Sequence, residues 1–162
     1  MRILLLGNAG AGKSTLAGNL IARQPAARLS LDQVAFRAGS ERRPIEESVA
    51  EAERWIAGHE SWILEGCYAD ILEPLLVHGE ELLFLNPGVE VCLAHCRSRP
   101  WEPEKFASPE EQERNLPNLL AWVRSYETRL DEYGLARHRA LFDAFPGRKR
   151  EFTHPSQYPL EF

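Results

Sequence analysis

The sequence has no long apolar run, few cysteines and no excess of basic charge. Its longest apolar runs, such as 3–6 and 82–85, are far shorter than the roughly 20 residues that a membrane-spanning helix needs. The apolar stretch at the amino terminus is interrupted before it completes a secretory signal peptide. Three cysteines are too few for a disulfide framework, and a net charge of −5 gives no basic footprint for a nucleic-acid backbone. We expect a cytoplasmic protein that binds neither membranes nor nucleic acid directly.

Length and composition favour one globular domain. A chain of 162 residues lies within the usual range of about 100 to 200 residues for a single domain. With 44% hydrophobic and 27% charged residues, the composition is far from that of disordered chains. No internal repeat or low-complexity linker divides the sequence. We predict a single domain over residues 1–162.

Short apolar segments alternate with segments of helical spacing. The predicted strands cover residues 2–6, 28–31, 61–65, 81–85 and 149–153. Predicted helices include 13–23 and 44–59, and further helices fill the gaps between the later strands. Strands that alternate with helices indicate βαβ units, so the fold class is α/β with a parallel sheet and helices on both faces.

One segment carries a specific chemical signature. Residues 7–14 read Gly-Asn-Ala-Gly-Ala-Gly-Lys-Ser, which matches the phosphate-binding loop pattern G-x-x-x-x-G-K-[ST] between a predicted strand and a predicted helix. Its glycines let backbone N–H groups wrap a β-phosphate at the positive end of the helix. Lys13 would contact the β- and γ-phosphates, and the Ser14 hydroxyl would coordinate Mg²⁺. Thr15 either contacts the α-phosphate or is an ordinary first-turn residue. The predicted nucleotide-binding residues are Gly7, Asn8, Ala9, Gly10, Ala11, Gly12, Lys13, Ser14 and Thr15.

The P-loop predicts a nucleoside triphosphate but does not choose between switches, motors and kinases. No asparagine is followed by lysine, so the N-K-x-D motif of guanine-binding switches is missing. The LSGGQ signature of transporter ATPases is also missing, and the chain is short for a motor. A small kinase remains.

Two further segments carry a resemblance. Residues 31–44 contain Leu-Asp-Gln, then Phe36 and the pair Arg43-Pro44, and residues 62–68 read Trp-Ile-Leu-Glu-Gly-Cys-Tyr. With the P-loop, these segments resemble the small P-loop kinases related to adenylate, shikimate and gluconate kinases. Most narrowly, they resemble the bacterial adenylate-kinase-like proteins labelled DNA topology modulation proteins, over about residues 1–154.

The resemblance implies a three-layer α/β/α P-loop fold with a five-stranded parallel sheet in the order 2-3-1-4-5 and a short helical lid. It also implies ATP as the phosphoryl donor. The substrate-binding segment would cover about 33–60, and the lid would cover about 96–116.

The resemblance also assigns roles to individual residues. Asp32, beyond strand 2, would bind the acceptor or act as general base, unless it only caps a helix. Glu65, at the end of strand 3, would hold Mg²⁺ together with Ser14, unless it is a surface charge. Either carboxylate could take either role. Arg97 and Arg99 would be lid arginines that stabilise the transferring phosphoryl group, unless they are surface residues at a helix end. The predicted catalytic residues are Lys13, Asp32, Arg97 and Arg99.

Other residues are weaker candidates, and three positions depart from the resembling group. Arg43 would meet an anionic acceptor, and the lid-side candidates are Arg114, Arg124 and Arg129. Cys92, His95 and Cys96 share one helix face, which fits a buried face better than a metal site. The segment 154–157 is either an adenine-binding loop or a plain loop. The departures are Glu65 in place of aspartate, Asn86 in place of an acidic residue and Cys67 in place of asparagine.

The sequence therefore favours an ATP- and Mg²⁺-dependent phosphotransferase that acts on a small-molecule acceptor. The acceptor would be a nucleotide, nucleoside, sugar or shikimate-like compound, and the protein would be a monomer or homodimer. The alternative is an ATP-binding regulatory or interaction protein with slow ATP hydrolysis and no dedicated acceptor. Dependence of ADP release on an acceptor separates the two.

Overall fold

The computed structural model describes residues 1–38 and 41–158. Part of the predicted substrate-binding segment, residues 39 and 40, and the last four residues of the predicted domain lie outside the described residues. Five strands are present: β1 (Arg2–Gly7), β2 (Ala27–Ser30), β3 (Trp62–Gly66), β4 (Glu81–Leu85) and β5 (Arg148–Phe152). Each lies within one residue of its predicted bounds.

Seven α-helices connect and flank these strands in the described part of the chain. They are α1 (Lys13–Arg23), α2 (Asp32–Ala35), α3 (Ile45–Ala57), α4 (Ala69–Leu75), α5 (Val89–Arg97), α6 (Pro109–Arg124) and α7 (Leu135–Ala144). Short 3₁₀ turns occupy Leu76–His78, Ser125–Glu127 and Pro155–Gln157. None of the described helices is both long and apolar enough to cross a membrane.

The sheet is parallel throughout, in the order β2-β3-β1-β4-β5. The predicted fold class and strand order are confirmed. β1 lies in the centre of the sheet. From Ile3 onward its residues are therefore apolar on both faces and buried. Leu4 packs in a core with α3, α4 and α7, while Leu5 packs in a second core with α1, α5 and α6. This alternation produces the three layers.

The two edges of the sheet differ from its centre. On one side β2 has only four residues, and on the other side β5 begins with Arg148, Lys149 and Arg150, all of which are exposed. The carboxyl ends of the strands lie at one edge of the layer, so the segments that follow them meet there.

Candidate nucleotide-binding and phosphoryl-transfer site

The P-loop connects the end of β1 to the start of α1. Gly10 and Gly12 have φ angles of 79° and 101°, which residues with a Cβ rarely adopt. A Cβ at Gly10 would also collide with the carbonyl oxygen of Cys92 on α5. The loop therefore requires glycine at Gly10 for two reasons, backbone conformation and close packing. At its end, Lys13, Ser14 and Thr15 form the first turn of α1, where amide N–H groups lack acceptors within the helix.

The Lys13 ammonium group lies against the loop itself. It is largely buried, and its Nζ donates to the carbonyl oxygens of Gly7 at 3.0 Å and Asn8 at 2.7 Å. Within residues 1–38 and 41–158, no carboxylate lies within ion-pair distance of it. Its positive charge is held by neutral dipoles alone, which suits the capture of a phosphate.

Three hydrogen bonds made by side chains join the loop to distant segments. His95 Nδ1 donates to the Gly10 carbonyl at 2.6 Å, since a carbonyl oxygen only accepts. Asn8 Nδ2 donates to the carbonyl of Val123 on α6 at 3.3 Å. Tyr158, which follows β5, donates its hydroxyl to the Ala11 carbonyl at 2.6 Å, and its ring lies over Gly12.

The side chains Cys92, His95 and Cys96 form the face of α5 that packs on the P-loop. Cys92 and Cys96 are buried, and burial raises the pKa of Cys92 to about 11, so this thiol stays protonated near neutral pH. His95 Nδ1 is bonded to the Gly10 carbonyl oxygen. This face supports the loop.

Glu65 ends β3 beside the P-loop. It is only 4% exposed, and Oε1 accepts from Ser14 Oγ at 3.3 Å and from Arg28 Nη2 at 2.9 Å. The structure thus brings together the two residues predicted to hold Mg²⁺, and Glu65 is not the surface charge of the alternative interpretation. A hydroxyl and a carboxylate are hard oxygen donors of the kind that Mg²⁺ prefers. Ser30, the partner of Glu65 in the β2–β3 register, places Arg28 on the same face of the sheet.

Asp32 lies one strand further from the P-loop than Glu65, at the first position of α2, because β2 is the neighbour of β3 on the side away from β1. The residue before it, Leu31, occupies the cap position, so Asp32 does not cap this helix. Its Oδ1 accepts from the Tyr68 hydroxyl, and its Oδ2 lies 3.4 Å from Lys105 Nζ. Burial, with a contribution from Cys67 and Asp32, raises the pKa of Tyr68, so the phenol remains a hydrogen-bond donor.

A cationic and aromatic group adjoins Tyr68. The Arg42 guanidinium lies over the rings of Tyr68 and Tyr133, 5.2 and 5.8 Å from their centroids. It donates to Asp70 Oδ2 at 2.9 Å and to the Tyr133 hydroxyl, and it lies 3.6 Å from Glu132. Arg42 is therefore neutralised by two carboxylates.

The predicted lid contains an irregular segment, 98–108, between α5 and α6. Its carboxyl end is fixed by Ser108, which caps α6, and by Gln112, which bonds to Glu102 N and Pro100 O. Lys105, within this segment, lies 3.4 Å from Asp32 Oδ2 through its Nζ. Of the two predicted lid arginines, Arg99 lies within this segment and Arg97 directly precedes it. Arg97 is exposed in the last turn of α5, and Arg99 lines a cavity of about 140 Å³ between the segment and α6.

The weaker arginine candidates have other surroundings. Arg114 and Arg124 are exposed on α6. Arg129 pairs with Asp131 and lies over the ring of Trp122, and Arg43 pairs with Glu51. The side chain of His154 accepts a bond from Ser156 N and caps the turn Pro155–Gln157.

A buried histidine supports the segment that links Glu65 to Tyr68. His138 is fully buried on α7, and its Nε2 donates to the Cys67 carbonyl at 2.8 Å. Its Nδ1 accepts from the Tyr126 hydroxyl at 2.7 Å. Burial lowers the pKa of His138 to about 4, so the imidazole is neutral near neutral pH.

Sequence reasoning missed four contributors, namely Arg28, Arg42, Lys105 and Tyr158. The sequence marks Arg28 only as a charged residue within a short predicted strand. Its contact with Glu65 can be inferred only once β2 is known to pair with β3. Nothing local marks Arg42 and Lys105 among the other basic residues, because their roles depend on the folding of distant segments against α2 and α4.

Comparisons with known proteins found a match to one family model and similarity to solved structures. A family model described as an AAA domain matches residues 3–79, which contain the P-loop, Asp32 and Glu65. The chain is similar in structure to deoxyadenosine kinase from M. mycoides with bound dATP, with 11% identity and a TM-score of 0.47. The likeness covers 94% of this chain and 90% of that chain, but at this identity and TM-score it carries no argument about activity. No curated protein matches the chain. None of these matches supports the narrower resemblance to DNA topology modulation proteins.

Proposed function

We propose that the protein is an ATP- and Mg²⁺-dependent phosphotransferase that acts on a small-molecule acceptor. The observation that carries the proposal is that the P-loop and two carboxylates follow three neighbouring strands at the same edge of the sheet. Ser14 meets Glu65 at the end of β3, and Asp32 follows β2, the next strand beyond β3. Phosphoryl transfer needs these two positions, one for the metal and one for the nucleophile.

The P-loop would bind the triphosphate of ATP. Lys13 would exchange the carbonyl oxygens of Gly7 and Asn8 for the β- and γ-phosphates, which are stronger acceptors because they are charged. The free amides at the start of α1 would add N–H donors at the positive end of the helix. The γ-phosphate would then lie at the edge of the sheet that also carries Asp32.

Ser14 and Glu65 are the residues that would hold Mg²⁺. When bound, the ion neutralises charge on the phosphates. In the structure, Arg28 supplies the positive charge beside Glu65. Arg28 would therefore hold this buried carboxylate in its orientation before nucleotide binds.

Asp32 would orient the acceptor. A new bond forms between the acceptor oxygen and the γ-phosphorus while the bond from that phosphorus to the β–γ bridging oxygen breaks, and ADP leaves. The hydroxyl proton passes to the Asp32 carboxylate. The Tyr68 hydroxyl, bonded to Oδ1, holds the carboxylate with Oδ2 directed to the lid.

The test compares Lys13→Met with Lys149→Met. Lys149 is a matched control because its Nζ also donates to two carbonyl oxygens, both at 3.0 Å, but it lies on β5. We expect Lys13→Met to lose ATP binding by calorimetry and transfer of labelled γ-phosphate, whereas Lys149→Met retains both. Equal ATP affinity in the two variants would contradict the proposed role of the P-loop. Hydrolysis that no acceptor accelerates would favour the regulatory alternative.

A further inference from the structure

We infer that the phosphoryl acceptor is an uncharged compound that presents a hydroxyl group to Asp32, such as a nucleoside or a sugar, and not a phosphorylated compound. The inference rests on the proposed phosphotransferase function and names the substrate class of that site. It follows from a comparison of how charged groups are paired around Asp32, on the acceptor side, with how they are paired at the P-loop, on the donor side.

The acceptor side contains what we call the acceptor-side cluster, Asp32, Arg42, Tyr68, Asp70 and Tyr133. Its one guanidinium, Arg42, is held at 2.9 Å by Asp70, with Glu132 at 3.6 Å on its other side. Arg42 also lies over the rings of Tyr68 and Tyr133. Both of its terminal nitrogens bond to protein oxygens, and its Nε is buried without a hydrogen-bond partner among the described residues.

The basic residues that border the cluster are paired in the same way. Lys105 lies between the carboxylates of Asp32, at 3.4 Å, and Glu102, at 3.5 Å. Arg43, next in sequence to Arg42, is bonded to Glu51. Arg129, whose guanidinium lies 5.4 Å from the ring centroid of Tyr133, is bonded through two of its nitrogens to Asp131.

The donor side shows how this chain builds a phosphate site. Lys13 bonds to neutral carbonyl oxygens, and among the described residues no carboxylate lies within ion-pair distance of it. Cations without acidic partners can bind a phosphate without displacing another anion. On the acceptor side, a phosphate would have to displace carboxylates that also repel it.

The chemistry left open on the acceptor side suits a hydroxyl group. Asp32 is the cluster residue with an exposed carboxylate, and 44% of its side chain is exposed. This carboxylate can accept hydrogen bonds from an acceptor molecule. A carboxylate accepts a hydrogen bond from a neutral hydroxyl group but repels a phosphate oxygen. In the transfer, the acceptor hydroxyl loses its proton to Asp32 and gains the γ-phosphoryl group, and ADP is released.

The experiment uses the full chain with labelled ATP, Mg²⁺ and matched pairs of acceptors that differ by one phosphate. The pairs are adenosine and AMP, deoxycytidine and dCMP, ribose and ribose 5-phosphate, and glucose and glucose 6-phosphate. The nucleoside and sugar arms distinguish the two sources of the hydroxyl. We expect kcat/KM for at least one uncharged member to exceed that of its phosphorylated counterpart by more than about tenfold, which corresponds to 1.4 kcal/mol.

A charge variant supplies a second readout. Asp70→Asn removes one compensating charge from Arg42, so we expect the preference against phosphorylated members to fall by at least about threefold. Glu73→Gln is the matched control, because Glu73 also lies on α4 and pairs with an arginine, Arg137, but is exposed and outside the cluster. The control should keep the wild-type preference.

The outcomes separate this inference from the proposed function. Faster transfer to a phosphorylated member than to its uncharged counterpart would overturn the acceptor class while supporting a phosphotransferase. ATP binding with no transfer to any uncharged member would also overturn it. Failure to bind ATP would overturn the proposed function itself, and the acceptor class with it.

Discussion

The neutral imidazole of His138 predicts a specific loss of stability in mild acid. One nitrogen faces the Cys67 carbonyl, which only accepts, and the other accepts the Tyr126 hydroxyl. Protonation would place an N–H opposite the hydroxyl proton of Tyr126 in a fully buried site. Burial is the main reason why the pKa of His138 falls from its ordinary 6.5 to about 4.

The sign and the magnitude follow from linkage. Between pH 6.5 and pH 4 the unfolded chain binds a proton at this histidine and the folded chain does not, so the free energy of unfolding falls as the pH falls. At 1.36 kcal/mol per pKa unit, His138 alone costs about 2 kcal/mol between pH 7 and pH 5. That is a large part of the stability of a small domain, which is typically about 5 to 15 kcal/mol.

The assay is urea unfolding of wild type and His138→Gln at pH 7 and pH 5, followed by circular dichroism. Glutamine retains a donor and an acceptor but does not titrate, so the wild type should lose about 2 kcal/mol more than the variant. His154→Gln, at an exposed histidine, is the control and should behave as wild type. An equal loss in wild type and His138→Gln would refute the reasoning.

Three further predictions concern the P-loop and α1. Gly10→Ala should destabilise the protein by more than about 2 kcal/mol, because its Cβ meets the Cys92 carbonyl and its φ is 79°; calorimetric melting measures this, and an unchanged melting temperature would contradict it. Gly18→Ala, in open space on α1, should instead stabilise by about 0.5 to 1 kcal/mol in the same assay, and a lower melting temperature would count against this. Tyr158→Phe removes the bond to the Ala11 carbonyl and should cost about 1 kcal/mol in urea unfolding, with a changed ATP dissociation constant as a second readout; unaltered values in both would exclude a role in the loop.

The P-loop could be predicted from the sequence because its chemistry is local. Residues 7–15 specify the turn, the helix start and the phosphate contacts through one short pattern, and α1 occupies its predicted bounds. The buried strands were also predictable, since an apolar run such as that of β1 fits a central strand of a parallel sheet.

The surroundings of the carboxylates could not be predicted in the same way. Arg28 meets Glu65 across 37 residues of sequence, and Tyr158 meets Ala11 across 147. Lys105 reaches Asp32 only because segment 98–108 is held to α6 by Gln112. Such contacts follow from the tertiary fold, and no local pattern in the sequence distinguishes these residues from other surface charges.

The two outer strands have a consequence for how copies of the chain meet in concentrated solution. An outer strand exposes unpaired N–H and C=O groups, on which a strand from another molecule can add and start aggregation. Here β2 offers only four residues for such pairing. On β5, three successive positive charges would repel the same charges on an identical strand from another molecule. Intermolecular strand pairing is therefore disfavoured at both outer strands. The apolar inner strands of the sheet are thereby kept from pairing with strands of other molecules.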